Sequence, residues 1–263
     1  LWPLLNSSSK KDKKKLRENW YQGFSMKLRS DLTIMTNDGT MGDRVLEYYK
    51  VPVDKVRFWM NGVNKNIHQP RYKNFLREKY KIPEDATILI TVHRLTYWKR
   101  TERALGALAK VLKKEKNAYL VVVGEGERRQ ELEKMANNLN IRRNVFFAGG
   151  VPNEEVGKYL SGADIYLGTY DLSNAGNPLF ESMLAGLVVI SLKNGSTASF
   201  LNDGEVGILI NNEKEFAPKI LSLIKNKAEL NKWKKLAKNY SHQNFWTWEE
   251  RIQAEIKEIE SIV

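Results

Sequence analysis

From about residue 31 onward, short apolar runs alternate with amphipathic stretches of helical period, and this alternation constrains the fold more than any single motif. The runs fall at 32–36, 55–60, 87–92, 119–123, 145–148, 165–167, 188–191 and 207–210, with helical stretches at 98–114, 128–139, 154–162, 178–185 and 214–225 between them. Runs such as Tyr119–Val123 are apolar at every position, as a strand covered on both faces requires; a half-exposed strand would alternate. Strands interleaved with helices predict βαβ units and a mostly parallel α/β sheet with helices on both faces. Ligands of such sheets bind beyond the carboxyl ends of the strands, where loops meet helix N-termini.

Four loops fall at such strand ends. The most specific runs from Gly176-Asn177-Pro178 through Glu181 to Gly186, followed by the buried strand Val188–Ser191. Asn is a favoured N-cap and Pro a favoured first helical residue, so the spacing predicts a helix starting at Pro178. Its N-terminus offers unpaired amides and partial positive charge for an anion or a sugar hydroxyl, with the Glu181 carboxylate one turn away as an acceptor for hydroxyls. The second loop, Thr91-Val92-His93-Arg94 to Lys99-Arg100, leads into a helix expected near Trp98 and gathers Arg94, Lys99, Arg100 and Arg103. Cations at a helix start oppose the dipole unless an anion sits among them. A diphosphate fits that role, with Arg94 as a bidentate partner and Lys99 as a point charge. His93 reads either as a phosphate contact or as a structural strand-end histidine. The third loop, Val123-Gly124-Glu125-Gly126, brings glycines whose backbone can approach a ligand. The fourth, Phe147-Ala148-Gly149-Gly150-Val151-Pro152, suits a flat base held by backbone and apolar contacts.

Charge narrows the partners. The 43 basic and 31 acidic side chains leave a formal charge of +12, which suits phosphorylated metabolites, nucleic acid or an anionic membrane surface. The block Lys10–Lys15 reads as the solvated face of a linker helix or as a surface for anionic lipid. Behind it, Leu16, Trp20, Phe24 and Leu28 recur at helical spacing, and Trp248, Ile252, Ile256, Ile259 and Val263 form a second stripe in the tail. Neither a nucleic-acid motif nor a base-stacking platform is present, so no nucleic-acid partner is expected. The chain has no cysteine, no run long enough to span a membrane and no Asp-x-Asp, and His68, His93 and His242 are far apart in sequence. Thiolate metal sites and disulfides are thereby excluded, and no metal or other cofactor is expected.

In the order of these pieces, the sequence resembles the donor-binding, C-terminal domain of retaining glycosyltransferases of the GT-B fold, family 4 in particular. The turn Asn61-Gly62-Val63-Asn64 is similar to the family's opening Asn-Gly-Val-Asp; Arg94 and Lys99 stand five apart after a strand, as its phosphate-binding pair does; residues 147–152 resemble its base-binding loop; and Glu181 matches the second glutamate of its signature. The resemblance covers about residues 31–245 and implies a Rossmann-like parallel sheet that binds a nucleoside-diphosphate sugar. It implies phosphate-binding and catalytic roles for Arg94 and Lys99, ribose binding by Glu181, and donor contacts from Gly124, Gly149, Val151, Ser173, Ala175, Gly176 and Asn177.

The sequence departs from the family where Ser173 replaces the first signature glutamate, where His93 replaces a glycine, where Asn64 replaces an aspartate and at Ser199. Asp171 is a candidate to reach toward the donor sugar in place of the lost carboxylate. The resemblance further implies a missing N-terminal acceptor domain. Residues 1–30 are then a basic interdomain segment or remnant of that domain, 31–243 the donor-binding domain, and 244–263 a helix packing on this or the missing domain. The leucine at position 1 reads as the start of a fragment or processed chain, expected to be inactive alone. The expected activity is metal-independent glycosyl transfer with retention to a glycan or lipid-linked acceptor, in the cytoplasm or at the cytoplasmic face of a membrane. A non-catalytic nucleotide-sugar-binding or regulatory module and a nucleotide-sugar epimerase of the same fold remain alternatives.

Overall fold

The structure, a computed structural model, describes residues 2–5, 9–18 and 20–262. Leu1 and Val263, the last member of the tail stripe, lie outside the described residues. The chain divides into two compact units, one of residues 1–63 with 246–263 and the other of residues 64–245.

In the first unit, short helices α1 (Trp2–Leu5), α2 (Lys10–Glu18) and α3 (Trp20–Ser25) precede β1 (Thr33–Thr36), α4 (Gly42–Tyr48) and β2 (Val56–Trp59). The two strands pair in parallel, Thr33 opposite Val56, and form a two-stranded sheet of their own. Among the described residues β1 and β2 pair only with each other, and residues 31–63, expected to open the donor-binding domain, group with the chain's two ends.

The second unit holds α5 (Phe75–Tyr80), β3 (Thr87–Val92), α6 (Thr101–Val111), β4 (Ala118–Val123), α7 (Arg129–Asn138), β5 (Val145–Gly149), α8 (Asn153–Ser161), β6 (Ile165–Gly168), α9 (Asn177–Leu184), β7 (Val188–Leu192), α10 (Thr197–Phe200), β8 (Ile208–Ile210), α11 (Phe216–Lys225) and α12 (Lys227–Asn244). Its six strands are parallel in the order β5-β4-β3-β6-β7-β8. The sheet is built outward in two directions from β3, so its topological switch point lies between β3 and β6. Successive side chains of a strand point to opposite faces. Leu89, Leu120, Val122, Ile165, Leu167 and Ile190 accordingly join Leu105, Leu108, Leu132 and Ile220 of α6, α7 and α11 in one buried cluster. Helices α5, α8 and α9 contribute nothing to that cluster and cover the other face, where Ile88, Ile90, Val121, Tyr166 and Val189 are buried. Burial on both faces explains why these strands are apolar at every position.

The tail helix α13 (Trp248–Glu260) belongs to the first unit. Thr247 and Glu250 cap it reciprocally, each side chain bonded to the other's backbone amide. The tail stripe does not supply its buried face. Trp248, Ile252, Ile256 and Ile259 are 41–49% exposed, whereas Arg251 is buried, donating to the Met60 carbonyl and lying over the Trp59 ring. Gly62 is required beside it, since a Cβ there would stand 2.4 Å from the Trp248 Cα. Trp20, Phe24 and Leu28 of the other stripe are likewise exposed. No helix among the described residues is long and apolar enough to cross a membrane.

Candidate functional site

The loops that leave β3, β4, β5 and β6 meet at one end of the six-stranded sheet, about the switch point. After β3 the chain makes a 3-10 turn over Tyr97–Lys99, and Arg100 then adopts a left-handed conformation with φ 54° before α6 begins at Thr101. Lys99 therefore precedes the helix expected to start near Trp98. Three bonds tie this loop to the one after β6: the Asp171 amide donates to the Trp98 carbonyl (3.0 Å), Thr169 Oγ1 to the Lys99 carbonyl (2.7 Å), and Arg103 to the Thr169 carbonyl (2.7 Å).

The four clustered cations separate into two kinds. Arg100 pairs with Glu102 (2.6 Å) and Asp171 (3.4 Å), and Arg103 with Asp171 and Glu213 (2.8 Å each). Part of the anion demanded at this helix start is thus supplied by the chain itself. Asp171, considered for the donor sugar, is committed to these guanidinium groups. Arg94 is exposed, and its guanidinium has no ion-pair partner among the described residues. The Lys99 ammonium stands 3.9 Å from the centre of the Trp98 ring and 3.6 Å from that of Tyr170. Attraction to two π-faces helps fix the position of this charge.

His93 is buried, its ring edge-on to Tyr170 at 5.1 Å. Its Nδ1 lies 3.1 Å from the Arg94 carbonyl, an acceptor, so Nδ1 carries the proton and Nε2 is a bare acceptor without a partner. Burial pushes its pKa down to about 4. A neutral imidazole with this tautomer offers no donor to a phosphate oxygen, which favours the structural role for His93 over phosphate contact.

Gly124 and Gly149 meet directly, the Gly124 amide donating to the Gly149 carbonyl at 2.8 Å. Gly124 has φ +135°, and a Cβ on it would stand 1.9 Å from the His93 carbonyl oxygen; at Gly126 it would stand 2.5 Å from the Leu95 carbonyl oxygen. The close approach expected between these glycines and a ligand is made by the β3 loop, so they act by letting the chain carrying Arg94 sit against β4. Val151 is half-buried in the loop before α8.

The loop after β6 is locked from within. Asn174 Oδ1 accepts from the Tyr170 amide (2.9 Å), its Nδ2 donates to Asn194 (2.9 Å), and its own amide donates to Thr197 Oγ1 (3.0 Å). Ser173 is buried, and its Oγ accepts from the Ala175 amide at 3.1 Å. The Ser173 hydroxyl, where the resemblance implied a sugar contact, closes its own loop, and the Ala175 amide is spent on it. Helix α9 begins one residue earlier than predicted, with Gly176 as N-cap, Asn177 as its first residue and Pro178 following. A Cβ on Gly176 would meet only Pro178, at 4.0 Å, so open space lies in front of this helix start.

Glu181 is the most informative side chain here. It is 7% exposed, yet its carboxylate has neither a hydrogen bond nor an ion pair among the described residues, and burial raises its pKa. Its charge is felt at Tyr166, whose hydroxyl neighbours that of Tyr170 beneath Lys99. The Tyr170 ring under the ammonium has its hydroxyl 3.3 Å from that of Tyr166 and donates to the Val92 carbonyl at 3.2 Å. Burial and then the charge on Glu181 push the Tyr166 pKa up. Tyr166, Tyr170 and Trp98 escaped sequence reasoning because two of them read as strand and strand-end residues; the four-residue spacing of the tyrosines about a strand end was the available signal. No group of three or more His, Asp or Glu side chains among the described residues is arranged to hold a metal ion.

Residues 73–240 match the family of glycosyl transferases group 1, and the chain belongs to that family. It is 30% identical over 209 residues to alpha-monoglucosyldiacylglycerol synthase of Streptococcus pneumoniae, covering 76% of this chain and 47% of that protein. The chain therefore spans about half the length of that relative. Among solved structures, Anabaena HepE in complex with UDP-glucose superposes with a TM-score of 0.76 at 20% identity, over 89% of this chain and 64% of that one. The C-terminal domain of a group 1 family protein (LpcC) from Francisella tularensis superposes with a TM-score of 0.62 at 22% identity, over 70% of this chain and 99% of that one. The fold is that of GT-B glycosyltransferases, with the expected Rossmann-like parallel sheet covered on both faces.

Proposed function

We propose that this chain is the donor-binding half of a retaining, metal-independent glycosyltransferase that takes a nucleoside-diphosphate sugar and serves a glycan or lipid-linked acceptor. The observation that carries this reading is the carboxylate of Glu181, 7% exposed and with no ion pair or hydrogen bond among the described residues, in the same site as the ammonium of Lys99 over the Tyr170 ring. A buried carboxylate without a donor costs stability. Ribose hydroxyls would supply the donors, and the diphosphate beyond them would meet Lys99 and Arg94.

As the glycosidic bond breaks, its electron pair stays on the diphosphate oxygen, and the charge growing there is stabilised by Arg94 and Lys99 already in position. The open space beside Gly176 leaves room for the sugar at the start of α9. Names of similar proteins support a nucleotide sugar as donor and a lipid glycoside among the products: HepE was solved with UDP-glucose, and the pneumococcal relative is a glucosyldiacylglycerol synthase. Retention and independence from metal rest on the family resemblance. A non-catalytic nucleotide-sugar module is the second reading, favoured by the Ser173 hydroxyl closing its own loop where a glutamate would reach the sugar.

The test is calorimetric titration with UDP, GDP, ADP and their sugar conjugates, beside an Arg94→Ala/Glu181→Ala double variant. Saturable binding of one nucleotide, lost in the variant, is the expected result. Equal binding by both proteins would overturn the assignment of the site.

A further inference from the structure

A cavity of about 430 Å³ opens at the opposite end of the six-stranded sheet, lined by residues preceding β6 and β7 and by α12. Five cationic side chains line it from separate parts of the chain: Lys73 just before α5, Arg77 on α5, and Lys234, Lys235 and Lys238 of α12. Asp164 is the lone carboxylate in the lining and is already engaged, by Lys234 at 2.7 Å and by Arg77 at 3.6 Å. Arg77 also donates to the carbonyls of Gly162, Glu84 and Ala86. Lys73, Lys235 and Lys238 have no carboxylate partner among the described residues.

A solvated helix face would explain Lys235 alone. It does not explain why Lys73, from a different segment, and Lys238, half-buried beside Gly186, join it around one concavity. The carboxyl end of α9 at Ala185 attracts cations, but a helix terminus carries only about half a charge. His68 adds an independent observation. It lines the same cavity with a buried Nδ1 that has no partner among the described residues, and its pKa is lowered by burial, then by the charges of Lys238 and His242. The lining thus presents unsatisfied positive charge and one unsatisfied imidazole nitrogen in a volume suited to a small ligand.

We propose that this cavity binds a phosphate group carried on a small polar body, such as a glycerophosphate, at a site separate from that of the nucleotide sugar. Lys73, Lys235 and Lys238 would supply its charge-assisted donors, with His68 as a further donor once the anion favours its protonated form. Helix α9 lies between the two sites, its N-terminus at the donor loop and its last turn at this cavity.

The chain has three histidines, so imidazole NMR resolves the two sites directly. Glycerol 1-phosphate is titrated while the rings of His68 and His93 are followed in the wild type and in a Lys235→Gln/Lys238→Gln variant. The expected result is a saturable shift of His68, with its pKa rising, while His93 stays still, and at least about tenfold weaker binding in the variant. A second arm tests sedimentation with phosphatidylglycerol vesicles. A His68 shift without variant-sensitive sedimentation assigns a free phosphate ester; sedimentation lost in the variant assigns a lipid headgroup. If His68 does not move and sedimentation is unchanged by the substitutions, or if the variant binds as the wild type does, the site is refuted. Because His93 and nucleotide titration report the donor site independently, failure here leaves that assignment standing.

Discussion

Replacing Glu181 by glutamine keeps the shape of the side chain and removes a charge that the folded protein holds 7% exposed without a partner. Holding a charged group largely out of water without a protein donor costs about 1–3 kcal/mol. Glu181→Gln is therefore expected to be more stable than the wild type at neutral pH by an amount in that range. For a domain of this size each kcal/mol moves Tm by about 2–4 °C. The pH dependence has a definite sign. Burial raises the carboxyl pKa in the folded state, so the folded protein binds this proton more tightly than the unfolded chain. The penalty is absent below the unfolded carboxylate range and grows as pH rises through the folded value. The stability gain of the variant should accordingly be full near pH 7–8 and vanish toward about pH 4. Scanning calorimetry of both proteins across that range, in the absence of nucleotide, measures it. A variant equally or less stable at pH 7 would show that Glu181 is satisfied in the apo-protein and would remove the reason for assigning it a ligand.

The remaining predictions concern the loops around the site. Gly124→Ala places a methyl group 1.9 Å from the His93 carbonyl at φ +135°, and should cost about 3 kcal/mol or more in urea denaturation. Asp171→Asn removes the bridge between Arg100 and Arg103. Because the carboxylate is partly exposed, the loss should be about 1 kcal/mol and shrink as salt is added. His93, with a folded pKa of about 4 against about 6.5 in the unfolded chain, destabilises the fold as pH falls between those values, since the unfolded chain takes up the proton first. Its imidazole NMR signals should show no titration step between pH 6 and 8, and His93→Gln should flatten the stability profile below pH 6.

The six-stranded sheet was legible because burial on both faces leaves strands apolar at every position, a pattern that requires no tertiary knowledge. Each of its strands was located within about a residue of its observed ends. The placement of β1 and β2 was not legible: Thr33–Thr36 and Val56–Trp59 have the same local character as the other strands, and only pairing shows that they bond to each other alone. The long helix α12 also went unread, since its apolar positions are few and much of its surface is lysine. At the candidate site, spacing and capping chemistry single out Arg94, Lys99 and Glu181. What the sequence hid was which charges cancel. Asp171 and Glu213 meet Arg103 from loops 68 and 110 residues away in the chain. The same limit applied to Ser173 and to Gly124, whose near neighbours proved to be the chain's own backbone.

The central claim is that Glu181 holds the ribose of a nucleoside diphosphate. The most direct measurement is a thermodynamic cycle by calorimetry, comparing the nucleotide that binds with its 2′,3′-dideoxy analogue, in the wild type and in Glu181→Ala. Hydrogen bonds to a charged group are worth about 1.5–3 kcal/mol. The wild type should then prefer the hydroxylated nucleotide by at least about tenfold, and the variant should bind both alike. Equal discrimination by both proteins would contradict the account, because the ribose would then be read by some other group.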